Sequence, residues 1–122
     1  MRESRYWLLS LIAAACLIVL LGIHLFLMHL NTLAAYMGIT TSEPLDYTAV
    51  MARGKSLGWV VGYVALLGLA LYHGLYGLRS ILSEIIHPGK ERLLTWAIIG
   101  IGLVAFAFGS YVVIMSYAME GI

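Results

Sequence analysis

Three long apolar runs constrain this chain more than any other feature. Residues 6–30, YWLLSLIAAACLIVLLGIHLFLMHL, contain no formally charged side chain. A second run starts near Leu57, stays uncharged until Arg79 and continues to about Ile86. The third, LLTWAIIGIGLVAFAFGSYVVIMSYAM, fills residues 93–119. Each exceeds the ~20 residues that span ~30 Å of hydrocarbon at a rise of 1.5 Å per residue. No water reaches the backbone at that depth, so each segment must satisfy its own peptide groups, and a helix does so. The expected fold is an all-α membrane protein with three transmembrane helices at about 6–35, 57–86 and 92–118. One membrane domain then occupies residues 1–122.

Composition agrees with that reading. Charged residues make up 11% of the chain and hydrophobic ones 62%, with a mean hydropathy of +0.97. Soluble domains carry about 25% charged residues, so lipid rather than water is the main solvent. Seven basic against six acidic side chains leave no basic surplus for nucleic acid. The lone cysteine, Cys16, supports no intrachain disulfide, zinc site or c-type haem attachment and reads as a small apolar side chain. The first run is longer than the 7–15-residue apolar region typical of a secretory signal, and reads as a retained helix.

The basic residues give an orientation. Arg2 and Arg5 precede the first helix, and Arg79, Lys90 and Arg92 gather at the second connection. The first connection carries Arg53 and Lys55, offset by Glu43 and Asp46. Positive residues stay in the cytoplasm, which puts the N-terminus and second connection inside and the C-terminus outside. Turn residues in SEPLDY suggest a break in the first connection, followed by a short surface helix around 47–52. In HPGKER, Pro88 and Gly89 close the second helix in a tight turn.

Four histidines stand out against this apolar background. Groups of this kind inside a membrane helix are costly and point to function by default. His73 shares a helical stripe with Gly62, Leu66, Leu69, Ala70, Tyr76, Gly77, Ser80 and Glu84. The small residues admit a neighbouring helix or a flat porphyrin, so His73 reads either as a hydrogen-bonded packing residue or as a metal or haem ligand. Arg79, six residues on, lies roughly 9 Å along the axis, within reach of a haem propionate if it is not simply anchored at the interface. Glu84 reads as a solvated helix-end carboxylate. His24 and His29, five residues apart, diverge by about 140° on a straight helix and cannot chelate one metal together. His24 lies in the outer half of its span; His29 nears the outer interface; His87 falls in the solvated turn. Six-coordinate haem in a helical bundle takes its axial ligands from facing helices. One histidine per helix at different depths therefore demands a second membrane chain.

HGLYGLRSILSEI resembles the second-helix signature of the cytochrome b membrane-anchor subunits of succinate dehydrogenase and fumarate reductase. There a haem-ligating histidine is followed by glycine at +4 and an acidic residue at +11, here His73, Gly77 and Glu84. Size, three helices, the N-terminus inside and a basic second connection also match. The chain departs from that pattern in Glu84-Ile85, where many members carry Asp-Tyr. GIHLFLMH looks like the first-helix ligand of the two-haem branch.

The resemblance implies half of a two-chain haem-binding bundle. His73 would serve the proximal haem b and His24 the distal one, with His29 in reserve and Arg79 on a propionate. Ser80, Glu84 and Arg79 would line a quinone pocket, with Ser4, Arg5 and Trp7 as weaker candidates. It further implies a second anchor subunit, an iron–sulfur subunit and an FAD-bearing flavoprotein, in a prokaryotic cytoplasmic membrane. Electrons would pass from succinate through the iron–sulfur clusters to quinone. The alternatives are a haem-free anchor of a respiratory complex and an unrelated small transporter or assembly protein.

Overall fold

The computed structural model describes residues 2–39 and 46–119. All elements among them are helical: α1 Arg2–Tyr36, α2 Tyr47–Gly54, α3 Leu57–Ile85 and α4 Glu91–Ala118. Three of these, α1, α3 and α4, are long and apolar enough to cross a membrane. α1 starts four residues before the expected boundary, because the polar Arg-Glu-Ser-Arg segment continues the helix beyond the apolar run. Glu3 in its first turn complements the positive end of the helix dipole. α3 and α4 fall within a residue of the expected bounds.

The ends are set by local chemistry. Gly38, with φ +72°, terminates α1: its N–H donates to the Ala35 carbonyl, and that of Ile39 donates to Ala34. This paired closure needs a left-handed residue, which glycine adopts without a Cβ penalty. The SEPLDY break lies mostly outside the described residues, but the surface helix after it is present as α2, two residues longer than expected. Asp46 caps it, accepting from the Tyr47 N–H at 2.9 Å and the Thr48 hydroxyl at 2.6 Å. After α3 the chain turns back at Pro88 and Gly89. The turn is closed by the Lys90 N–H on the His87 carbonyl, with Gly89 at φ +101°.

α3 is the central helix. α1 packs on one side of it and α4 on the other, while α2 covers the ends of α3 and α4 at the α1–α3 connection. Gly54 of α2 lies against Ser116 there. The α3–α4 seam interlocks small and large residues. A Cβ at Gly102 would stand 2.8 Å from Leu75, one at Gly109 would collide with Leu67, and one at Gly68 would lie 3.3 Å from the Phe106 ring. The α1–α3 seam uses Ser10 and Ala13 as its small buried residues. Among the described residues only these two, Val60 and Ile98 are buried. Most large apolar side chains therefore face outward, as suits a bundle whose solvent is lipid.

Candidate functional site

Two side chains of α3 reach the α1 backbone where the two helices cross. His73 faces Ser10, whose carbonyl oxygen lies 3.1 Å and hydroxyl 3.2 Å from the ring Nδ1. A carbonyl oxygen only accepts, so a hydrogen bond to it takes its proton from Nδ1, the tautomer in which Nε2 keeps its lone pair. One residue earlier, the Tyr72 hydroxyl donates to the Tyr6 carbonyl at 3.0 Å. Adjacent residues of α3 thus grip one turn of α1. His73 itself is exposed, and a Cβ built at Gly74 or Gly77 beside it would meet nothing within 4 Å.

His24 lies farther along the same seam. Its ring meets Tyr63 edge-on at 5.7 Å, and Tyr63 in turn lies 5.7 Å from Trp59. Together with Gly58, Gly62 and Leu66 these rings border a cavity of about 180 Å³. His24 is half-buried, whereas His29 and His87 are exposed. Fourteen residues of α1 separate Ser10 from His24, and ten of α3 separate Tyr63 from His73. At 1.5 Å per residue the two imidazoles occupy levels roughly 15–21 Å apart. They cannot share one ion. Among the described residues no cluster of three or more His, Cys, Asp or Glu side chains forms.

The stripe expected around His73 divides in the structure. Gly62 and Leu66 border the His24 cavity, and Tyr76 faces a larger groove between α1 and α4. Arg79 also faces that groove. Its Nε donates to the Thr95 hydroxyl at 2.8 Å, and that hydroxyl donates to the Glu91 carbonyl at 2.9 Å. The groove measures about 500 Å³ and His73 does not line it. Arg79 and His73 are thus placed on different faces of α3. Ser80 and Glu84 are both exposed, with the Ser80 hydroxyl donating to the Tyr76 carbonyl. Ser4, Arg5 and Trp7 are exposed on the first turns of α1.

Sequence reasoning passes over Ser10, Tyr63 and Thr95. Ser10 is the one hydroxyl in LLSLIAAAC, a polar residue among small ones, and that combination is the available signal. Comparison with family models, curated proteins and solved structures finds no match to this chain.

Proposed function

We propose that this chain is a haem b-binding membrane-anchor subunit of a succinate:quinone oxidoreductase, in either its succinate-oxidising or its fumarate-reducing form. The observation that carries the reading is the His73–Ser10 contact. Metal-bound histidines almost always donate their second ring N–H to a carbonyl, carboxylate or water, which fixes the tautomer and aims the other nitrogen. His73 has that arrangement: Nδ1–H on the Ser10 carbonyl, an open Nε2, and glycines 74 and 77 alongside with free space over them. These residues fit a flat macrocycle approaching the helix closely. His24 offers a second imidazole one level away, beside Gly62 and the Tyr63 edge.

In this reading His73 and His24 each give one axial ligand, and a second anchor subunit gives the other. Bound haem b would supply one-electron transfer, at a potential set by its axial ligands and their surroundings. The chain's own task is to hold imidazoles at two depths and, at His73, to aim the ring through the Ser10 carbonyl. Iron–sulfur and flavoprotein subunits dock at the end carrying the N-terminus and the His87–Lys90 turn, taken as cytoplasmic. The quinone is reduced near that end, where Glu84 offers a carboxyl group and the Ser80 hydroxyl would have to turn from the Tyr76 carbonyl to meet it.

The same contact also serves a second reading, a haem-free anchor in which His73 only ties α3 to α1. A spectrum separates the two. Reduced-minus-oxidised membranes from cells expressing the complete complex are expected to show a b-type α band. His73→Ala should remove the inner haem and His24→Ala the outer one, each lowering haem per complex by about half while iron–sulfur and flavin content persist. A spectrum with no b-type band, or both variants at full haem content, rejects the haem-ligand reading.

A further inference from the structure

The groove between α1 and α4 is graded in polarity along its length. At one end stand Glu3, Tyr6, Tyr76, Arg79 and Thr95; at the other, Gly68 and the Phe106 ring close it. Eleven residues separate Arg79 from Gly68 on α3, and eleven separate Thr95 from Phe106 on α4. At 1.5 Å per residue the groove is about 16 Å deep. Half of a ~30 Å hydrocarbon core is roughly the same length. A transmembrane helix of a partner would need a groove running the whole span; this one is about half that long. Its depth and polarity match a single leaflet.

The charges at the mouth narrow the occupant. Thr95 takes the Arg79 Nε, which orients the guanidinium; among the described residues its remaining nitrogens have no hydrogen-bond or ion-pair partner. Glu3 borders the same mouth and makes no ion pair with Arg79. A simple anion would satisfy Arg79 and be repelled by Glu3. A headgroup carrying both a phosphate and a primary ammonium satisfies both. Guanidinium pairs well with phosphate oxygens, and an ammonium is a three-donor partner for a carboxylate.

We infer that this groove is a binding site for one phosphatidylethanolamine molecule of the leaflet facing the N-terminus. Its phosphate meets Arg79, its ammonium meets Glu3, and one acyl chain runs down to Phe106. The inference does not depend on haem, and it gives Arg79 an anionic partner on the face of α3 that the structure assigns to it.

Native mass spectrometry of the full chain tests this, with its copurifying subunits, in detergent containing equal phosphatidylethanolamine, phosphatidylglycerol and phosphatidylcholine. One phosphatidylethanolamine adduct is expected to be retained in preference to the others. Arg79→Gln should lower that retention roughly tenfold or more, the scale of a lost charge-assisted contact. Glu3→Gln should switch the preference to phosphatidylglycerol. Leu103→Trp fills the groove without touching a charge, so it carries the test if Arg79→Gln fails to fold; it should lower retention of all three lipids. Equal retention of the three lipids by the unaltered chain overturns the proposal. So does a preference for phosphatidylglycerol, a copurified quinone in place of the phospholipid, or an adduct indifferent to Leu103→Trp.

Discussion

Toward α4, helix α3 presents leucine tips to glycines; toward α1, it presents a tyrosine and a histidine to backbone carbonyls. The α4 seam relies on shape along most of its length, with one polar contact, Arg79 to Thr95, near its end. Leu75 occupies the space over Gly102, Leu67 that over Gly109, and Phe106 that over Gly68, so each helix has both knobs and gaps. In lipid there is no hydrophobic drive to bring helices together, and close contact between small residues replaces it. The α1 seam is small too, at Ser10 and Ala13, but its distinguishing contacts are polar. One seam builds the scaffold and the other holds the imidazoles. Each substitution below tests that division.

The largest effect is expected on the shape-based side. At Gly109 an alanine methyl would displace only the flexible end of Leu67, whereas the branched carbons of valine add further volume against the same side chain. Gly109→Val should destabilise the bundle by about 1–3 kcal/mol, the scale of overpacking. Gly100→Val on the same helix is the control, since a Cβ there meets nothing within 4 Å. Unfolding of both variants in mixed micelles, followed by far-ultraviolet circular dichroism, measures the difference. Equal stability of the two would mean the glycines do not set the seam.

A smaller effect is expected from Ser10→Leu on the polar side. Ser10 is buried, and a leucine there pushes directly on the His73 ring 3.1–3.2 Å away. His73 is exposed and can swing outward, so part of the strain is released. The cost should fall at the low end of the overpacking range, about 1 kcal/mol. The same micelle titration reads it. A loss as large as that of Gly109→Val would show that both seams depend on shape alike.

The spans, the surface helix and the tight turn at Pro88 were legible because each has a one-dimensional signal: an uncharged run, the turn residues of SEPLDY, a Pro-Gly pair. His73 was legible as a polar group in lipid. Its partner was not. Ser10 sits 63 positions away, and no periodicity within one helix says which carbonyl a neighbouring helix will bring. Arg79 shows the other limit. Its axial distance from His73 can be counted, but a six-residue step turns it about 120° away, where its Nε meets Thr95. The groove at Arg79 was invisible for a related reason. It arises because α1 and α4 both pack on α3 and leave space between them, a property of three helices and of no single one.

The smallest expected effect is that of Tyr72→Phe, and it is the sharpest probe of the polar seam. The phenol donates to a carbonyl that is already within the α1 helical ladder, so its removal leaves no backbone group unpaired. Interhelical hydrogen bonds in membranes average about 0.6 kcal/mol, because the separated helices find other partners. Tyr72→Phe should therefore cost about that much and leave the ring stacked on Tyr76, 6.1 Å away. If the two gripping contacts act together, Tyr72→Phe should cost less once His73 is changed to alanine, which removes the ring from the Ser10 carbonyl, than it does alone. A double-mutant cycle measures that coupling. Strict additivity would mean Tyr72 and His73 hold α1 independently, and the polar seam would be two separate contacts rather than one clamp.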